Sequence, residues 1–244
     1  MLENVRIVLI GTTHPGNIGA AARAMKTMCL DRLCLVSPKH FPSAEATARA
    51  SGADDLLARA DVFGELDEAL SGCRLVVGTS ARLRSVEWPV RTPRECAAEL
   101  LGEAQRGPVA ILFGRESSGL SNAELDRCRY LVQVPANPVY SSLNLGTAVQ
   151  VLAYELYQQA SALAKAGIAL EQRSPATADQ LEGFYDHLSE TLRDLEFTEP
   201  GRSTKLLRRL RRLFNRAELD ADEVNILRGI LSAAQNKKNS KNNK

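Results

Sequence analysis

The chain has 244 residues, of which 44% are apolar and 25% charged, and a formal net charge of +2. Those proportions exclude a disordered or collagen-like chain and leave enough apolar material for a real core. A balance so near neutrality does not by itself imply nucleic acid, so any such reading rests on where the charges fall.

Met1-Leu-Glu-Asn4 runs straight into a strand-like segment, with no basic or signal-type apolar stretch before it. No apolar run is long enough to span a membrane, so no membrane association is expected. Cys29, Cys34, Cys73, Cys96 and Cys128 are scattered without a CxxC pair, which predicts reduced thiols in a cytoplasmic protein. His14, His40 and His187 are as dispersed, and no metal site is expected.

The first two-thirds alternate short apolar strands with helical patterns. Strands are predicted at Val5–Ile10, Arg32–Val36, Leu75–Gly78, Val109–Phe113 and Tyr130–Val134. Helices are predicted at Ile18–Met28, Ala44–Ala50, Leu66–Leu70, Pro93–Gln105 and Asn122–Cys128. This alternation predicts an α/β fold with a mainly parallel sheet covered on both faces. Ligands of such sheets lie beyond the carboxyl ends of the strands, where each loop of interest here begins.

The first of these loops is Gly11-Thr-Thr-His-Pro-Gly-Asn-Ile-Gly-Ala-Ala-Ala-Arg23. Its glycines do not make GxGxxG and no GK[ST] follows, so the dinucleotide and P-loop readings fail. The second strand also ends without an acidic residue to hold a ribose. Asn17 is expected to cap a helix, with Gly19, Ala20 and Arg23 on one of its faces. Small residues beneath an arginine would leave room for a ligand; alternatively, Arg23 is simply solvated.

The third strand opens onto Gly78, Thr79, Ser80 and Ala81, then Arg82 and Arg84, which are either a charged surface loop or phosphate contacts. Trp88 is expected to pack locally. After the fourth strand, Gly114 would allow close approach of a ligand to the backbone. Arg115 and Glu116 follow, and Ser121 with Glu124 predicts a capping box. The fifth strand is stopped by Pro135, and a loop through Pro138, Tyr140, Ser141 and Ser142 feeds a helix carrying Leu145, Val149, Leu152 and Leu156 at helical spacing. On local grounds Ser142 or Asn144 caps that helix.

Three of these segments, Asn17-Ile-Gly-Ala-Ala-Ala-Arg23, Phe113-Gly-Arg-Glu-Ser-Ser-Gly-Leu120 and Ser141-Ser-Leu-Asn-Leu-Gly-Thr-Ala-Val149, resemble in this order the three motifs of the SPOUT (SpoU–TrmD) RNA methyltransferases, in the SpoU/TrmH branch. With Val77-Gly-Thr-Ser-Ala-Arg82 the resemblance spans four loops within residues 1–160. It implies a trefoil-knotted α/β domain, S-adenosylmethionine bound at the knot, no metal, and a homodimer. The implied reaction is methylation of a ribose 2'-hydroxyl in tRNA, at a cytidine or uridine at position 32 of the anticodon loop. By the same resemblance Arg23 is catalytic, with Asn17 and Ser142 beside it. Thr79, Ser80, Ala81, Gly114, Val134, Ser141, Ser142 and Leu143 line the donor pocket, with Glu116 and Asn144 in support. Arg82, Arg84 and Arg115 are expected to meet RNA. Rival readings are a SpoU-type enzyme acting on ribosomal RNA, and an RNA-binding protein that has lost methyl transfer.

Residues 161–175 read as a linker, 176–235 as a basic helical domain and 236–244 as a disordered polar tail. Helices are predicted at Thr177–Leu195, Ser203–Asn215 and Asp220–Ala234, with a break at Thr198–Gly201. The middle one places Leu206, Leu207, Leu210, Leu213 and Phe214 on one stripe and surrounds them with Lys205, Arg208, Arg209, Arg211, Arg212 and Arg216. Those cations, Arg208, Arg209, Arg211 and Arg212 foremost, are expected to meet RNA phosphates. The competing arrangement pairs them with Asp179, Glu182, Asp186, Glu190 and Asp194 of the preceding helix.

Overall fold

The computed structural model describes residues 1–81, 88–166, 175–197 and 203–242. The chain divides into two compact units, Met1–Glu171 and Gln172–Lys244.

The first unit is built on strands β1 (Val5–Ile10), β2 (Arg32–Val36), β3 (Asp61–Phe63), β4 (Leu75–Thr79), β5 (Val90–Arg91), β6 (Val109–Phe113) and β7 (Tyr130–Val132). They form one sheet in the order β3-β2-β1-β6-β4-β7-β5, with every pairing parallel. β6 is buried at every position and β1 and β4 at nearly all. Continuous apolar runs such as Val-Ala-Ile-Leu-Phe are what a sheet covered on both faces requires. In β1, Ile7 sits in register between Leu33 of β2 and Ile111 of β6.

Among the described residues, this unit has seven α-helices: α1 (Pro15–Thr27), α2 (Ala44–Ala50), α3 (Asp54–Ala58), α4 (Leu66–Leu70), α5 (Pro93–Ala104), α6 (Asn122–Asp126) and α7 (Leu145–Ala166). α1 packs on both α2 and α7, and α7 packs on α5. Ile18, Met25, Leu100, Val149, Leu152 and Leu156 bring their apolar faces into one core with the strands. Trp88 is buried, as expected.

α3, β3 and β5 were not expected. At five, three and two residues they are too short for periodicity to show. α1 begins at Pro15, earlier than predicted, because proline at the first helical position has its φ already set and no N–H to satisfy. His14 is therefore the N-cap, and Asn17 lies within the first turn instead of capping it. Gly19 and Ala20, expected to leave ligand space beneath Arg23, are packed against by neighbouring helices, while Arg23 itself is exposed. A Cβ on Gly19 would stand 2.0 Å from the Ala46 carbonyl oxygen of α2, and one on Gly146 of α7 would stand 2.7 Å from Ala20 Cβ. Gly19 and Ala20 are small so that three helices can touch.

The second unit contains α8 (Ala178–Asp194), α9 (Ser203–Ala217) and α10 (Ala221–Asn242). A Thr177/Gln180 capping box opens α8. Ala176 N–H donates to Leu219 O at 3.0 Å, tying the start of α8 to the turn between α9 and α10. The core holds Phe184, Tyr185, Leu188, Leu219 and Val224, with Leu210, Phe214, Leu227 and Leu231 packed against it. Leu213, assigned to the buried stripe by spacing, is 48% exposed at the edge of that stripe. α7 and α10 both outrun expectation, to Ala166 and Asn242. Neither extension contains a glycine or proline, so nothing in the backbone stops the hydrogen-bond ladder where composition turns polar. Residues 236–242, expected as a disordered tail, are thus helical in backbone. The break expected at Thr198–Gly201 lies outside the described residues.

Candidate active site

The carboxyl ends of β1, β6, β4 and β7, adjacent in that order, bring four loops to one edge of the sheet. Glu116, in the loop after β6, accepts hydrogen bonds from Asn17 Nδ2 at 2.9 Å, Thr13 N–H at 3.2 Å and His14 N–H at 3.3 Å. Asn17 Oδ1 in turn accepts from Asn144 Nδ2 at 2.9 Å. Asn144 Oδ1 accepts from Gly146 N–H at 2.9 Å, and its carbonyl accepts from Ala148 N–H, so Asn144 caps α7. Capping and membership of the site are one arrangement. Each asparagine uses its oxygen as acceptor and its nitrogen as donor, which fixes both amide orientations.

Burial acts to raise the Glu116 pKa, but hydrogen bonds from Asn17, from the Glu116 backbone and from Thr13 and His14 together outweigh it and hold the carboxyl below the ordinary 4.5. Glu116 is therefore an anion at the start of α1, where exposed N–H groups favour negative charge. The two backbone donors at Thr13 and His14 escaped sequence reasoning. The signal for them was Pro15, which marks the helix start.

A second set of contacts shapes the loop after β6. Arg115 donates from one terminal nitrogen to both Glu124 oxygens, at 2.9 and 3.1 Å. Glu124 also closes the expected capping box with Ser121, accepting from Ser121 N–H at 2.6 Å. Arg115 crosses Gly11, whose φ is +58° and where a Cβ would lie 2.9 Å from Arg115 Nε. Arg115, expected to meet RNA, clamps its own loop, because a buried carboxylate lies within reach. Gly114 is likewise approached by protein: a Cβ there would fall 2.2 Å from the Gly119 carbonyl carbon, where the loop folds back. Arg115 and Gly119 exchange backbone hydrogen bonds of 3.2 and 2.8 Å across that fold.

Thr79 turns its hydroxyl inward to Leu112 O at 2.9 Å, so that group holds β4 to β6 and does not face the loops. Ser80 N–H donates to Val132 O at 3.1 Å, and Ser141 Oγ donates to Ala81 O at 3.0 Å, joining the loops after β4 and β7. Val134 and Leu143 are half-buried and Ser142 is exposed. Among the described residues, the N–H groups of Ser141, Ser142, Leu143 and Asn144 have no protein partner. Arg23 is exposed, and among the described residues it makes no hydrogen bond or ion pair. Arg82 and Arg84 lie outside the described residues. Among the described residues, no cluster of metal-ligating side chains occurs and no helix is long and apolar enough to cross a membrane.

In the second unit, Arg211 is bound to the Glu182 carboxylate of α8, one of its bonds being 2.9 Å, and lies 4.1 Å over the Tyr185 ring. Tyr185 OH donates to Asn215 Oδ1 at 2.6 Å. Arg211 therefore holds α8 to α9, which is the competing arrangement with the acidic preceding helix. Arg208 is half-buried. Lys205, Arg209, Arg212 and Arg216 fall on a single face at spacings of four, three and four, and among the described residues none has an ion-pair partner.

Two family models match the chain: the SpoU rRNA Methylase family over residues 4–154, and the C-terminal domain of the tRNA methyltransferase TrmJ over residues 179–244. The chain is 50% identical to the tRNA (cytidine/uridine-2'-O-)-methyltransferase TrmJ of Pectobacterium atrosepticum, across 96% of this chain and 98% of that protein. Against TrmJ of Klebsiella pneumoniae the identity is 48%, across 99% and 100%. Among solved structures, TrmJ from Z. mobilis superposes with a TM-score of 0.79 at 36% identity, covering 93% of this chain and 97% of that one. A methylase-family protein from Haemophilus influenzae gives 0.65 at 45%, covering 99% and 100%. On its sequence, its parallel sheet and its motif loops, the chain belongs to the SpoU methylase family, in the branch that carries a TrmJ-type C-terminal domain.

Proposed function

We propose that the chain transfers a methyl group from S-adenosylmethionine to the 2'-hydroxyl of cytidine or uridine in tRNA, at position 32 of the anticodon loop, as a cytoplasmic homodimer with the knotted topology of its family. The observation that carries this reading is the hydrogen-bonded run Asn144–Asn17–Glu116, which fastens three motif loops at the start of the helix that bears Arg23, an exposed arginine with no partner among the described residues.

The residues fit the methyl donor. The N–H groups from Ser141 to Asn144, without partners among the described residues, offer a row of donors beside Ala81, to which Ser141 is hydrogen-bonded, and next to half-buried Leu143. When bound, S-adenosylmethionine supplies an electrophilic methyl group on a sulfonium centre. The chain's own task is to present the hydroxyl to it. Arg23 donates to the 2'-oxygen and the adjacent phosphate, stabilising the charge that grows on oxygen as its proton leaves to phosphate or water. A guanidinium is a poor proton acceptor, and its planar fork suits it to orienting an oxyanion. Glu116, held ionised by its donors, anchors Asn17 and through it the start of the helix that carries Arg23. Ser142, exposed in the same loop, offers a hydroxyl to the ribose or the donor.

Lys205, Arg209, Arg212 and Arg216, without ion-pair partners among the described residues, are the cations of α9 we assign to RNA phosphates, and the RNA contacts expected of Arg82 and Arg84 remain part of the proposal. Val139, Tyr140 and Tyr154 are exposed surface that a second subunit would cover. Nucleoside mass spectrometry of RNA from cells with and without the gene tests the reading. The expected result is loss of 2'-O-methylation at position 32 of tRNA, restored by the wild-type gene. Loss confined to ribosomal RNA would replace this reading with the SpoU-type rRNA enzyme. No loss in either RNA would leave an RNA-binding protein without transfer activity.

A further inference from the structure

α10 has two contrasting faces. Val224, Leu227 and Leu231 turn into the core of the second unit. On the far side, Asp222, Ile226, Gly229, Ile230, Ala233 and Lys237 share one stripe, and all six are exposed. The outward face of such a helix is ordinarily polar, yet Ile226 is 64% and Ile230 59% exposed. Nothing lies within 4 Å of a Cβ built on Gly229. The two charges at the ends of the stripe, Asp222 and Lys237, have no ion-pair partner among the described residues.

The stripe complements a reversed copy of itself. Laid antiparallel about the point between Gly229 and Ile230, Ile226 meets Ala233, Gly229 meets Ile230, and Asp222 meets Lys237. Each layer sets a large side chain against a small one, and both ends set opposite charges together. A parallel pairing would oppose Asp222 to Asp222 and Lys237 to Lys237, and leave Gly229 against Gly229. We propose that α10 is a self-association surface, through which two copies of this chain pair antiparallel. The contact is isologous, as a two-fold interface must be. Its area is small, so it strengthens an assembly instead of defining one alone, in the manner of a second linked binding site.

Disulfide trapping in the full chain, with exposed Cys29 changed to serine, tests this arrangement. The other cysteines are buried. Antiparallel pairing sets the two copies of residue 229 about 1.5 Å apart along the helix axis and the two copies of residue 222 about 22 Å apart. Under mild oxidation Gly229→Cys should give a covalent dimer and Asp222→Cys should not. Adding Ile226→Glu and Ile230→Glu should abolish the Gly229→Cys dimer, with circular dichroism showing the helices intact. Lys237→Glu should slow trapping roughly tenfold, and Asp222→Lys added to it should restore the rate. Trapping at both positions, at neither, or at a rate indifferent to Lys237→Glu would overturn the proposal.

Discussion

The side-chain amide of Asn144, which caps α7, donates at 2.9 Å to Oδ1 of Asn17 in the first turn of α1. Two helices that begin 130 residues apart in sequence (Pro15 and Leu145) are thereby fixed at their starts by one hydrogen bond. Because Asn17 also donates to Glu116, a change at any of the three is felt at the other two. Arg23 rides six residues, about 9 Å, further along α1, so its placement inherits theirs.

Asn17→Asp keeps the acceptor for Asn144 and removes the donor to Glu116, setting two carboxylates side by side. Methyl transfer should fall on the order of 10²-fold, because a small misplacement of a catalytic group is enough to do so. Thermal unfolding should move little, since the site is solvent-accessible. Steady-state kinetics beside a melting curve checks both.

Glu116 sets an acid limit. Its folded pKa lies below the ordinary 4.5, so its hydrogen bonds contribute stability that is fully present above the unfolded value and is lost as pH falls through the folded one. Acidification through the carboxylate range should therefore lower the melting temperature of the wild type more than that of Glu116→Gln. Exposure of the carboxyl keeps the difference small. Parallel melting curves across that range test the sign.

Helix packing offers a contrast between two glycines. Gly19→Ala drives a methyl group against the Ala46 backbone and should destabilise by about 1–3 kcal/mol. Gly183→Ala in α8 meets nothing within 4 Å and should stabilise its helix by roughly 0.5–1 kcal/mol. Denaturant titrations of the two variants distinguish them.

The cations of α9 should separate by role. Arg211→Gln breaks the Glu182 pair and the contact over Tyr185, so it should lower the stability of the second unit. Arg209→Gln and Arg212→Gln should leave stability unchanged and weaken tRNA binding. Each should also reduce the salt dependence of log K by about 0.7–0.9 per lost phosphate contact. Binding titrations at several salt concentrations resolve this.

Much of the first unit was legible because its signals are local. The apolar runs Val5–Ile10, Arg32–Val36 and Val109–Phe113 end where their strands end, and Ser121 with Glu124 announced a capping box that forms. What the sequence hid was pairing across the fold. Arg115 read as a free cation because Glu124 reaches it only through the folded loop, whereas for Arg211 the competing pairing with the preceding helix is the one that forms, at Glu182. Gly19 and Gly114 read as openings for a ligand, and each is an opening for the chain's own backbone. Asn17 read as a cap because its type suits one, whereas Pro15 had already moved the helix start upstream.

The most direct measurement is single-turnover methyl transfer by Arg23→Ala, paired with calorimetry of S-adenosylmethionine binding. Arg23 is exposed and bonds to nothing among the described residues, so the variant should fold and bind the donor as the wild type does. Its transfer rate should fall by about 10²–10³, as when a donor to a developing oxyanion is removed. A variant that binds the donor and still methylates tRNA at the wild-type rate would contradict the account.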